Sequence, residues 1–199
     1  MSISPMIDLG YFEMMVHPAM CVHPDPKKVL VITPHAMQVK TEIAKYRFAI
    51  ELVTSEALSI IPQQDEGSYD VVIIGQKQKV DLPLVAHLHR ILSPKGVAVV
   101  QTGNFVETIE EMIETLKVCA PSFRIAVPYR YESRTQEGFL FLSKYVHPLA
   151  DVNLQRLDLT DGFGYYNTEV HHAAVALPTY VRKMVAGVVK NCSLLMPLL

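Results

Sequence analysis

Three short runs of branched apolar residues constrain this chain more than any other feature: KKVLVIT at 27–33, YDVVIIG at 69–75 and GVAVVQT at 96–102. Each is continuously apolar rather than alternating. That is the pattern of a strand covered on both faces, as in a parallel sheet with helices on either side. Helix signals separate the runs. Residues 36–46 form a plausible helix. Asp81 stands as an N-cap before Leu84, Val85, Leu88, Ile91 and Leu92, which share one face, and Pro94 and Gly96 stop that helix. Asn104 and Glu107 make a capping-box-like start for a helix burying Val106, Ile109, Met112, Ile113 and Leu116. FAIELVT at 48–54 reads as a further strand, and 56–61 as a short helix ending before Pro62. Residues 123–128 and 138–143 read as a terminal hairpin. Helical segments follow from Thr168 and are broken at Pro178. Alternating strands and helices predict an α/β fold with a mostly parallel sheet, helices on both faces and the three apolar runs side by side in the centre. Ligands in such sheets bind beyond the C-terminal strand ends. Chemistry is therefore expected at 33–38, 54–56, 75–81 and 101–104.

Composition narrows the class. The 199 residues suit one domain, or one domain with a small appendage, and half of them are apolar, enough for a sizeable core. A net charge of −2 gives no support for nucleic acid or an anionic membrane as partner. Cys21, Cys119 and Cys192 are scattered without a CxxC, which argues against a disulfide framework and fits a reducing cytosol. The start has no basic n-region, and no uninterrupted apolar run reaches ~18 residues, so neither a secretory signal nor a spanning helix is expected. His17, Cys21 and His23 are close in sequence, but a structural zinc site usually takes four ligands and no fourth is evident, so no metal is expected. His87 with His89, and His171 with His172, are spaced so that each pair points apart on a helix.

Several segments carry a family resemblance: YFEMMVHPAM at 11–20 followed by HPDPKKVLVI at 23–32, SYDVVII at 68–74, LSPKGVAVVQTGN at 92–104, EGFLFLSK at 137–144 and GYYNTEVHHAAVALPTYV at 164–181. In this order they resemble the motifs of the spermidine synthase (polyamine aminopropyltransferase) family. The resemblance implies a seven-stranded Rossmann-like fold of the S-adenosylmethionine-methyltransferase type. It implies transfer of an aminopropyl group from decarboxylated S-adenosylmethionine, as co-substrate, to putrescine, with no further cofactor. Its partners would be polyamines and S-adenosyl-type small molecules, in the cytoplasm. Tyr11, Glu13, Glu56, Asp81, Gln101 and Tyr131 are the substrate-binding candidates it implies.

The match departs from the family at the reacting centre. Where the family has G-G-G-D-G-G, this chain has TPHAMQ at 33–38, with Ala36 at the acid and Pro34 removing a backbone donor. Gly75 stands at the family's catalytic Asp. Lys77 and Lys79 follow, reversing the charge of a loop meant to receive a polycation. The stretch between Ala44 and Tyr69 has room for one strand only, so the fold is expected to be one β-α unit short. Residues 48–54 can align with either of two family strands, and Glu56 lies near the ribose acid in both.

The match begins at Tyr11, which leaves no room ahead for the family's N-terminal β domain. The expected organisation is an N-terminal segment at 1–22 (a remnant of the interdomain region), a Rossmann-like domain at 23–190 and an apolar tail at 191–199. The apolar residues of both ends, from Ile3 to Met15 and from Leu194 to Leu199, predict self-association, as a symmetric dimer. Two functions follow: a divergent spermidine synthase of polyamine biosynthesis, or a non-catalytic protein, regulatory or binding, with the same fold.

Overall fold

The computed structural model describes residues 6–132, 136–158 and 160–190, with side chains from residue 10 onward. The apolar tail, Cys192 and the apolar side chains of the first nine residues lie outside the described residues. Along the chain run α1 (Met6–Val22), β1 (Lys28–Ile32), α2 (Ala36–Ile43), β2 (Glu51–Ser55), β3 (Tyr69–Ile74), α3 (Leu82–Ile91), β4 (Leu92–Gln101), α4 (Ile109–Cys119), β5 (Ile125–Tyr131), β6 (Glu137–Ser143), α5 (Leu154–Asp158), α6 (Thr168–Val175) and α7 (Thr179–Met184).

Among the described residues the strands form one six-stranded sheet in the order β2-β1-β3-β4-β6-β5. The three apolar runs are the adjacent strands β1, β3 and β4, paired in parallel. β6 returns antiparallel to β4 and pairs antiparallel with β5, which makes the expected terminal hairpin. β2 lies directly against β1, from Lys28↔Glu51 to Ile32↔Ser55, so residues 48–54 supply the first strand's immediate neighbour.

Side chains alternate across this sheet with the two-residue strand period. Val29, Val31, Val71, Ile73, Val97 and Val99 face α1, α2, α5 and α6. Leu30, Ile32, Val72, Ile74, Ala98 and Val100 face α3, α4 and α7. Helices on both faces bury every central strand twice, which is why the runs read as continuously apolar.

Helix α1 differs from an ordinary surface helix because every residue from 12 to 22 is buried. A helix apolar almost all round belongs in a core. Pro18 sits inside it and has no amide to give the carbonyl of Met14, four residues earlier. The buried Tyr129 hydroxyl donates to that carbonyl instead, at 2.9 Å. Of the N-terminal apolar residues expected to meet a second copy, Phe12, Met14 and Met15 pack in the chain's own core.

Three local expectations also change. Pro94 and Gly96 lie inside β4 rather than stopping α3, because Leu92 turns extended directly after Ile91. The short helix after β2 is a 3-10 turn, Leu58–Gln63, and contains Pro62. The Asn104 carboxamide accepts from the amides of Val106, Glu107 and Thr108, which closes a turn, and α4 begins only at Ile109. Val106 is therefore outside the helix and 58% exposed rather than part of its buried stripe.

Candidate functional site

The C-terminal ends of β1, β2 and β3 are stitched together by backbone and by Thr33. The Thr33 amide donates to Ser55 at 2.9 Å, and its hydroxyl donates to the Gly75 carbonyl at 3.2 Å while accepting from the His35 amide. Gly75 is the position where the resemblance places a catalytic carboxylate. A Cβ there would collide with Met15 Sδ and lie 2.7 Å from Met15 Cε. Met15 is fully buried on α1. A side chain at 75 would require the flexible end of Met15 to shift. In place of a glycine loop, Pro34, His35, Met37 and Gln38 are exposed side-chain-bearing residues, with Ala36 opening α2. His35, the N-cap, makes no capping side-chain bond.

The remaining candidates separate into groups. Glu56 is exposed just past β2, and its backbone carbonyl accepts from the Gln76 carboxamide at 3.4 Å. Asp81 is exposed and accepts the Leu84 amide at 2.9 Å, so its carboxylate caps α3. Gln101, at the end of β4, lines a cleft of about 530 Å³ together with residues 77–80, Thr102, Gly103 and the α4 residues Glu111, Glu114, Thr115 and Val118. Tyr11 and Tyr131 meet at the same sheet edge, on the α1 side. Their rings are 6.3 Å apart, Tyr11 leans on Phe139, and Tyr131 stands edge-on to Tyr165. Burial, helped by the charge of Glu137, pushes the Tyr11 hydroxyl well above its usual range, so it stays protonated.

Glu13 is committed to the fold. Its carboxylate accepts from three successive amides, Gly164 at 2.7 Å, Tyr165 at 2.8 Å and Tyr166 at 2.7 Å, and from Lys45 at 3.1 Å. Burial opposes its charge, but the three amides and the ammonium outweigh burial and hold the carboxyl below its usual value. Lys45 also bridges to Glu42 at 2.6 Å. Glu42 in turn accepts from His17 Nε2 at 2.8 Å, which leaves His17 Nδ1 to accept the Tyr46 hydroxyl at 2.8 Å. Burial drives the His17 pKa down against the pull of Glu42, so the ring is a neutral structural link. His171 repeats the pattern: Nε2 donates to the Pro148 carbonyl and Nδ1 accepts from Tyr166, both at 2.6 Å.

His17 and Cys21 meet at the same Tyr46 hydroxyl, at 2.8 and 3.6 Å, while His23 turns away to lie 3.8 Å from Asp70. Among the described residues no group of three His, Cys, Asp or Glu is placed to hold a metal. Burial pushes the Cys21 thiol up to about 11 and the Cys119 thiol up to about 12, far from a reactive thiolate. The sequence reading missed Glu42, Lys45 and Tyr46. The available signal was Glu42 beside Val39 and Ile43 on the apolar side of α2. It missed Glu111 of the cleft as well.

A parallel sheet closed by an antiparallel last pair, with helices on both faces, defines the S-adenosylmethionine-methyltransferase type of Rossmann-like fold. No protein-family profile matches the chain. It is similar to the polyamine aminopropyltransferase of Helicobacter acinonychis, at 23% identity over 90% of this chain and 78% of that one. It is also similar to spermidine synthase 2 of Arabidopsis thaliana, at 23% identity over 89% of this chain and 67% of the relative. Among solved structures, spermidine synthase from Thermotoga maritima superposes with a TM-score of 0.78 at 21% identity, over 88% of this chain and 74% of that one. A spermidine synthase bound to the transition-state analogue AdoDATO gives 0.79 at 21% identity, over 88% and 75%. The chain is thus a divergent relative of the polyamine aminopropyltransferases and carries the spermidine synthase fold. Among the described residues no helix is long and apolar enough to cross a membrane.

Proposed function

We propose that this chain is a spermidine-synthase-type protein of polyamine metabolism that retains the aminopropyltransferase scaffold without the family's catalysis, acting as a binding or regulatory component. The observation that carries the reading is Gly75. Aminopropyl transfer needs the attacking amine deprotonated and held in line with the sulfonium. At the position of the base there is no side chain, and the Met15 thioether fills the space. The other acids at the strand ends are engaged or apart: Glu13 by four donors, Asp81 by the α3 amide, Glu56 out in solvent. The side chains of 33–38 further obstruct a nucleoside where the family presents bare glycine backbone.

A second reading, aminopropyl transfer through replacement residues, is favoured by one observation: the chain spans 78% of a relative named as a polyamine aminopropyltransferase. Calorimetric titration with decarboxylated S-adenosylmethionine, methylthioadenosine and putrescine separates the two. The proposal expects weak or no binding of the nucleosides. Sub-micromolar affinity for methylthioadenosine, weakened by Glu56→Ala, would favour the second reading.

A further inference from the structure

The cleft beside Gln101 holds groups that neither reading uses. Three elements line it: the segment Lys77–Val80 after β3, the end of β4 with Thr102 and Gly103, and the outer side of α4. Its volume, about 530 Å³, lies within the range of small-molecule sites. Neither Gly75 nor Met15 lines it. Gly103 lets α4 come close, since a Cβ there would collide with the Thr108 carbonyl and lie 2.9 Å from Glu111 Cβ.

The chemistry of the lining is two-signed. Lys77 and Lys79 stand on the loop, and Glu111 and Glu114 on the helix. Glu114 is paired with Lys117 at 2.8 Å. Lys77, Lys79 and Glu111 have no ion-pair partner among the described residues. Between them Gln78 carries both side-chain amide atoms out of solvent and without a hydrogen-bond partner. A buried donor and acceptor left unmade cost about 1–3 kcal/mol each, so the Gln78 carboxamide would gain from turning toward the cleft. Val80 and Val118 supply an apolar wall.

We propose that this cleft binds a small zwitterion of the amino-acid class. Its carboxylate meets Lys77 and Lys79, and its ammonium meets Glu111. A polycation is disfavoured by the paired lysines. A simple anion leaves Glu111 without a partner. The cleft includes Gln101 and the Lys77–Lys79 loop, which the resemblance assigns to substrate, but amino-acid binding is read separately from nucleoside binding and aminopropyl transfer.

The test is calorimetric titration of the full chain at low ionic strength with three probes: L-ornithine, putrescine (the same diamine without the carboxylate) and pentanoate (a carboxylate without the amines). Ornithine is expected to bind, with putrescine and pentanoate at least about tenfold weaker. The double variant Lys77→Glu, Lys79→Glu and, separately, Glu111→Gln should each weaken ornithine at least about tenfold. All three substituted positions lie on the surface of the cleft, and unchanged thermal melting would confirm intact folds. Putrescine binding as tightly as ornithine, ornithine binding untouched in Glu111→Gln, or no ornithine binding at millimolar concentration would each overturn the assignment.

Discussion

The α1 side of the sheet and the C-terminal strand-end loops treat polar groups in opposite ways. On the α1 side Glu13, His17, Glu42, Lys45, Tyr46, Tyr166 and His171 are withdrawn from water and matched donor to acceptor. At the loops, His35 caps nothing, Glu56 points to solvent and Gln78 is unpartnered. The family-like residues that remain are largely those holding the scaffold together. The segments that depart from the resemblance, 33–38 and 75–79, lie at the C-terminal strand ends. A buried network loses several kcal/mol when one member goes, because its partners are stranded in a low dielectric. A ligand-facing loop has no such tie to stability and can change while the fold persists.

The largest test of that contrast is Glu13→Ala. It strands three amides, while Lys45 keeps its bridge to Glu42, and a loss of roughly 3–5 kcal/mol in denaturant unfolding is expected. A loss below about 1 kcal/mol would break the comparison.

Next is pH. His17 and His171 have folded pKa values depressed below 6.5 by burial. The unfolded chain therefore takes up protons first as pH falls. Stability is full above 6.5 and is lost as pH drops from there through the depressed folded values, by up to about 1.4 kcal/mol per pH unit per histidine. Urea midpoints measured from pH 8 to 5 should fall, and His17→Gln should flatten the slope. A flat profile in the parent protein would contradict the neutral, buried assignment.

Smaller again is Tyr129→Phe, expected to cost about 1–2 kcal/mol by leaving the Met14 carbonyl unpaired. The cost should shrink in a Pro18→Ala background, where residue 18 regains an amide. Additive effects would show that Tyr129 does not substitute for that amide. The smallest effect sharpens the loop side of the comparison. Asp81→Ala removes the α3 cap and is expected to cost about 1 kcal/mol in denaturant unfolding. A loss as large as that of Glu13→Ala would erase the contrast between the two regions.

The sheet was legible because its central strands are covered on both faces, and Val29 to Ile32 or Val71 to Ile74 can be continuously apolar only in that setting. Asp81 was legible as a cap because the apolar run starts just after it. Asn104 was read as the same kind of signal, but it closes a turn because α4 starts five residues later. The packing of α1 was hidden by its own uniformity: apolar on almost every side, it shows no face, and Pro18 argues against a helix until Tyr129 supplies the missing donor. The Glu13–Lys45–Glu42–His17 chain was hidden for a different reason. Charged residues on a short helix normally point to water, and only the fold brings α1, α2 and residues 164–166 together. The cleft joins Lys77 and Lys79 to Glu111, more than thirty positions away, a distance that no local pattern spans.

The central claim is that the scaffold persists while the reacting centre has been replaced, and the most direct measurement is spermidine formation by the purified chain from decarboxylated S-adenosylmethionine and putrescine. The account predicts no product above the uncatalysed background in the parent protein, with the same result for Gly75→Asp alone, because the side chains of 33–38 still stand in place of the glycine loop. Steady turnover on the order of 1 per second by the parent protein would contradict it.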